Sequence, residues 1–402
     1  MRRYTRQIYS LLLLLSAFAT NPSVTSADWR SDLTRALKNG GGYAERDDGL
    51  ALFSHRSDEL FVPASTLKVA TVLAALELIG PDHRFRTEFY LTSHGELGVR
   101  GLGEPQLVSE DLAVIAKELA GKLKRVRGFV LDTGYFAAPL AIDGVSASTN
   151  PYDAANGALF ANFNTVFVEK RSRSDIRSAE PQTPLTATAQ ALSAGLPIGK
   201  SRVNIGSAPD AGPRYFAELL AAFLRREGIE VGDAVRVATL PKDAKLIFTH
   251  HSARPLEEIA RALLDYSTNF LANQLFLHLG IHRFGPPATV EKGERALREF
   301  LQRRFGWKHF AVAEGAGLSR RNRLSPKQLV ELLRAFEPHR KLLPKEAGLF
   351  DAKTGSLRGV NTLIGYFEDR QGRTVRFALL VNDTVPHTYK FTLAKQLRDA
   401  LY

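Results

Sequence analysis

The chain changes texture twice, and that pattern constrains its fold more than any single motif does. Near the start, a helix-periodic segment Trp29–Leu37 runs into Gly40-Gly41-Gly42. Two short strand-like runs follow, Leu50–Phe53 and Glu59–Val62, and then a strongly helical stretch, Thr66–Ile79, stopped by Gly80-Pro81. From about Phe85 to about Arg214 the pattern becomes short alternating runs (Phe89–Leu91, Gly128–Leu131, Thr165–Glu169) among Gly, Pro, Asn and Ser turns, with one helix at Ser109–Leu123. Helices return at Tyr215–Glu227, Leu256–Asp265, Phe270–Leu279, Thr289–Phe305 and Pro326–Phe336. Strand-like Leu363–Phe367 and Val375–Val381 follow, then a last helix, Phe391–Tyr402. This order predicts a mixed α/β (α+β) core built from residues 28–84 and 215–402, interrupted by a strand-rich inserted domain over 85–214. With 402 residues, 44% of them apolar, the chain is long enough to bury two cores.

Residues 1–27 read as an export signal. Arg2, Arg3 and Arg6 precede the apolar run Leu11–Leu15, and small residues lead to Thr25-Ser26-Ala27 before Asp28. The run is shorter than the roughly 20 residues that span a bilayer, so cleavage is expected rather than anchoring. Removal of three arginines takes the net charge of +12 to +9. The expected location is the periplasm or cell-wall space, with no transmembrane segment in the mature chain. There is no cysteine, which excludes disulfides, thiolate metal sites and a cysteine nucleophile. Basic clusters at Lys122–Arg127 and Arg320–Arg323 lack the aromatic interleaving of a nucleic-acid groove, so no nucleic-acid partner is expected; an anionic polymer outside the cytoplasm suits them better.

Three tempting motifs fail. Ala194–Ser201 resembles a phosphate loop but has Ala194 where the first glycine belongs. Asp132-Thr133-Gly134 has no second aspartate triplet to share a proton with. His278 and His282 are four apart but lack a third ligand at metal spacing. No metal and no organic cofactor are expected.

The chemistry lies in three short motifs. Ser65-Thr66-Leu67-Lys68 opens the helix that follows Pro63, so the Lys68 amine comes within reach of the Ser65 hydroxyl. A serine hydroxyl is a poor nucleophile until a base takes its proton, and a lysine acts as that base only if burial or a neighbouring cation lowers its pKa. Alone, this pattern recurs by chance in long chains and is better read as a helix cap beside a solvated lysine. It is followed by Ser267-Thr268-Asn269 at a helix junction and by Lys353-Thr354-Gly355-Ser356 beside strand-like residues. Ser267 can relay a proton, Asn269 can bind a substrate amide, and Lys353 supplies charge. Thr354 can hold a carboxylate, and Gly355 lets a substrate backbone lie against the strand edge.

These motifs, 202 positions apart between the first two, resemble those of the D-alanyl-D-alanine carboxypeptidase/endopeptidase type of low-molecular-mass penicillin-binding protein, the S13 serine peptidases. The resemblance extends through Gly101–Leu107, Asn162-Phe163-Asn164, Gly315–Arg320 and Phe377–Asn382. This chain departs from the family pattern at Gln106, Asn273, Ala316 and Ser356. The resemblance implies a penicillin-binding-protein/serine β-lactamase-like transpeptidase core. It also implies a Ser65 acyl-enzyme formed with Lys68 as base, peptidoglycan stem peptides as substrate, and β-lactam antibiotics as acylating inhibitors. Catalytic roles fall to Ser65, Lys68, Ser267, Asn269 and Lys353, and substrate-binding roles to Thr354, Gly355 and Ser356. A serine β-lactamase, or a non-catalytic wall-binding protein on the same scaffold, remain the alternative readings.

Overall fold

The computed structural model describes residues 28–402, so the export signal expected at 1–27 lies outside the described residues. Two bodies of structure share the chain. The first is built on a six-stranded antiparallel sheet in the order Lys345–Glu346, Phe350–Leu357, Val360–Glu368, Thr374–Val381, Gly41–Arg46, Ala51–His55. Gly41–Arg46 pairs with Thr374–Val381, Tyr43 lying opposite Ala378, so the two ends of the chain close one sheet. The sequence placed strands at Leu50–Phe53 and Glu59–Val62. The second is only an isolated bridge at Phe61, and the strand Gly41–Arg46 is hidden from pattern reading by its glycines. Those glycines are needed, because a Cβ on Gly42 would meet Leu379, Phe53 and Leu37 at about 3 Å.

Both faces of this sheet are covered, which explains why Val360–Glu368 is buried at every position but the last. Leu363 and Phe367 pack with Phe377 and Leu379 against the two terminal helices, Trp29–Ala36 and Tyr389–Leu401. Ile364 and Tyr366 face the other way, with Ala378 and Leu380, into a helical layer. At the centre of that layer is Lys68–Leu78. It is buried from Lys68 through Leu76 and surrounded by Leu256–Tyr266, Asn269–Phe284, Val290–Phe305 and Pro326–Phe336. A helix apolar on all sides must sit inside the molecule, and this one does.

The second body has its own core. A five-stranded sheet runs in the order Lys245–His251, Arg86–Leu91, Leu97–Gly101, Arg125–Asp132, Glu230–Val237, beside a three-stranded sheet of Ile176–Ser178, Thr165–Lys170 and Gly199–Asn204. Helices Ser109–Ala120 and Ala211–Arg226 supply Leu112, Ile115, Leu119, Tyr215, Phe216, Leu219 and Phe223 to that core, against Phe89, Val99, Phe129 and Leu131. The sequence ended the insert near Arg214 and gave the next helix to the main core. Instead, helix Ala211–Arg226 is the crossover between two parallel strands of the insert's own sheet, and the excursion continues to His251. The physical reason is that Glu230–Val237 and Lys245–His251 are the edges of that sheet. They are largely exposed and carry little hydrophobic pattern.

Candidate active site

Ser65 sits in a single 3₁₀ turn, Ala64–Leu67, that runs directly into helix Lys68–Leu78. The turn is held from several sides. The Pro63 carbonyl accepts hydrogen bonds from Thr66 Oγ1 (2.7 Å) and from Thr362 Oγ1 of the central strand (2.8 Å). The Asn382 side chain brackets the Val62 peptide, accepting from its N–H at 2.7 Å and donating to its carbonyl at 3.2 Å. Ala64 has a positive φ of 50°. That is a strained conformation for a residue with a Cβ, and it persists only because the surroundings over-determine it. Gly317 lies against it so closely that a Cβ there would stand 1.9 Å from the Ala64 carbonyl oxygen.

Lys68 is fully buried, and its ammonium has three acceptors: Ser65 Oγ at 2.8 Å, Asn269 Oδ1 at 2.8 Å and the Ala316 carbonyl at 2.7 Å. Burial drives its pKa well below the ordinary lysine value. The Lys353 cation pushes the same way, and the Glu314 carboxylate opposes both. Burial also brings Lys353 down to about 8, with Glu346 raising it and Lys390 lowering it. An amine that is neutral for part of the time, 2.8 Å from a serine hydroxyl, can take that hydroxyl's proton.

Asn269 is the first residue of helix Asn269–Phe284, and Ser267, two residues earlier, ends the preceding helix with φ 53°. The junction thereby turns the chain so that Asn269 reaches Lys68. On the third side, Gly355 carries the strand Phe350–Leu357 up to Ser65. A Cβ on Gly355 would lie 2.2 Å from Thr362 Oγ1 and 3.0 Å from the Ser65 amide nitrogen, so only glycine permits the approach. Thr354 is half-buried and Ser356 is exposed on this strand. The structure thus brings Ser65, Lys68 and Asn269 into direct hydrogen-bonded contact. It sets Gly355 against the Ser65 amide and places Lys353 near enough for its charge to act on Lys68.

The match that decides the family covers almost all of this architecture. The model of the D-Ala-D-Ala carboxypeptidase 3 (S13) family matches residues 35–194, 178–344 and 340–399. The chain belongs to the S13 family. It is 25% identical to D-alanyl-D-alanine carboxypeptidase DacB of Haemophilus influenzae, with 88% of each chain covered. It is 27% identical to the D-alanyl-D-alanine carboxypeptidase of Actinomadura sp. R39, over 83% of this chain and 76% of that one. The crystal structure of penicillin binding protein 4 (dacB) from H. influenzae superposes with a TM-score of 0.76 at 22% identity, covering 92% of this chain and 98% of that one. Bd3459, a predatory peptidoglycan endopeptidase from Bdellovibrio bacteriovorus, has the same fold at a TM-score of 0.54 and 15% identity, covering 90% and 92%.

Within this S13 chain, several groups support the motif residues, and the roles of Glu314, Asn273 and Tyr152 were not read from the sequence. Glu314, fully buried, accepts from the N–H groups of Ala316 and Gly317 and from Asn322 Nδ2, each at 2.7 Å, and so shapes the loop that offers its Ala316 carbonyl to Lys68. Asn273 Oδ1 accepts from the Gly315 amide at 2.8 Å and pins the same loop to the helix. The insert touches the site too: the Tyr152 carbonyl accepts from Asn269 Nδ2 at 3.3 Å. His278 is a structural histidine, its Nε2 2.7 Å from the Gly103 carbonyl oxygen and its pKa lowered to about 4, chiefly by burial. The basic cluster at Arg320–Arg323 is engaged locally, Arg321 pairing with Asp143 at 3.0 Å and Arg320 donating to the Arg358 carbonyl.

Proposed function

We propose that this S13 serine peptidase removes the terminal D-Ala from peptidoglycan stem peptides, or cuts D-Ala cross-links between them, through an acyl-enzyme on Ser65. The observation that carries the reading is the buried Lys68 amine, 2.8 Å from Ser65 Oγ and held below its ordinary pKa. Lys68 takes the hydroxyl proton as Ser65 Oγ attacks the carbonyl carbon of the penultimate D-Ala. The oxyanion is received by the backbone N–H groups of Ser65 and Ser356, which stabilise charge that develops only in the transition state. Ser267 gives its hydroxyl proton to the leaving amine and regains one from the protonated Lys68, so that the proton taken from Ser65 ends on the amine, with the Lys353 charge favouring that transfer. The leaving D-Ala departs with its carboxylate held at Thr354 and Ser356. Water then hydrolyses the ester and returns free Ser65.

Cleavage of a cross-link needs only a different leaving amine in the same steps, which supports the endopeptidase activity. A β-lactam presents a strained amide and a carboxylate in a similar arrangement and would acylate Ser65 in place of the substrate. The signal-like residues 1–27 support export to the periplasm or cell-wall space, and among the described residues no helix is long and apolar enough to cross a membrane.

The test is intact-mass spectrometry after penicillin treatment, paired with D-Ala release from a peptide ending in D-Ala-D-Ala. A long-lived adduct lost in Ser65→Ala, together with D-Ala release, is the expected result. An adduct that turns over within seconds would make the protein a β-lactamase. No adduct and no release would leave a wall-binding scaffold.

A further inference from the structure

A third buried lysine lies behind the motif strand, and no step above uses it. Lys390, in the first turn of helix Tyr389–Leu401, is 1% exposed. Its Nζ lies 2.5 Å from Ser356 Oγ and 3.3 Å from the Gly355 carbonyl oxygen. Its backbone is fixed as firmly as its tip. The Lys390 N–H donates to Asn361 Oδ1 at 3.0 Å, and Asn361 Nδ2 donates in turn to the carbonyls of His387 (3.1 Å) and Pro386 (3.4 Å). Asn361 is the residue directly opposite Ser356 in the sheet register. One cross-strand pair therefore holds Lys390 at both ends.

Burying an ammonium is costly, and an apolar side chain in the same place would avoid that cost. An ammonium can only donate, so Ser356 Oγ accepts from Lys390 and its own hydroxyl proton must turn elsewhere. Ser356 is exposed and adjoins the glycine that lies against the Ser65 amide, so that direction is solvent at the edge of the site. We infer that Lys390 is a positioning residue for recognition of the substrate's terminal carboxylate: it aims the Ser356 hydroxyl into the cleft as a donor and places a buried positive charge behind it. Burial brings the amine down to about 8, which leaves it mostly protonated at neutral pH. This role rests on the D-Ala-D-Ala reading of the cleft.

The experiment compares one peptide ending in D-Ala-D-Ala with the same peptide carrying a C-terminal amide, in the wild type and in Lys390→Met. Methionine nearly matches the buried length of lysine without its charge. The expected result is a fall of about 10- to 100-fold in kcat/KM for the free acid, chiefly through KM, with the amide changed less than about twofold. An equal loss on both substrates would make Lys390 merely structural and overturn the inference, as would no loss on either. Should Lys390→Met fail to fold, Asn361→Ala leaves Lys390 in place and cuts the hold on its backbone. It is expected to show the same selective loss at about threefold, and a uniform loss there would again overturn the assignment. A folded wild type that releases D-Ala from neither peptide would fail the D-Ala-D-Ala reading itself, a result distinct from either variant's.

Discussion

Asn269 Oδ1 accepts a hydrogen bond from Lys68 Nζ at 2.8 Å, while the other end of the same carboxamide donates to the Tyr152 carbonyl of the inserted domain. One side chain therefore touches Lys68 and the insert together. Replacing it with a carboxylate would favour the charged form of Lys68 and raise its pKa. Asn269→Asp is expected to acylate with penicillin more slowly at pH 7 and to recover part of the loss as pH rises. A pH–rate profile that falls without shifting would confine Asn269 to substrate binding.

Lys68→Arg keeps the charge and loses the chemistry, because a guanidinium does not release its proton in a protein. Acylation by penicillin is expected to drop by about a thousandfold or more, read by the time course of the mass adduct. Near-normal acylation would show that Lys68 acts only through its charge.

Lys353 is expected to shape both sides of the pH profile. Its cation helps hold Lys68 down, and it loses its own proton near pH 8. Wild-type kcat/KM is therefore expected to rise as Lys68 becomes neutral and to fall again above about pH 8. In Lys353→Gln the residual activity should have its acid limb moved to higher pH, because the neighbouring cation that favoured neutral Lys68 is gone. An unmoved acid limb would mean that the two lysines do not interact.

Gly317→Ala tests the strained turn. The added Cβ would stand 1.9 Å from the Ala64 carbonyl oxygen, at a backbone φ of 83° that suits glycine. A loss of about 3 kcal/mol in unfolding free energy is expected, together with near-complete loss of acylation, measured by thermal unfolding and by adduct formation. A stable variant with normal acylation would show that Ala64–Ser65 can relax without Gly317.

The helical layer, the central helix at Lys68 and the two covered strands were legible in the sequence, because complete burial leaves apolar runs such as Phe377–Val381. The three motifs were legible because their spacing within each element is short and local. Lys390 was not: one lysine in an amphipathic helix looks like any solvated lysine until the sheet beneath it is known. The end of the insert was missed for a related reason. Helix Ala211–Arg226 shows an apolar face but not which core it joins, and the exposed edge strands after it give no contrast.

Gly41–Arg46 lies between Ala51–His55 and Thr374–Val381, so the sheet beneath Ser65 is completed only by residues more than 300 positions downstream. A chain growing from its N-terminus presents its nucleophile early and its closing strand last. The excursion between them, with a core of its own, has the means to condense first and shorten the loop that the ends must close. Assembly of the sheet is then the slow, final event, and a chain cut short before Thr374 would keep Val360–Glu368 but lack the strand that joins it to Gly41–Arg46, leaving the sheet in two halves.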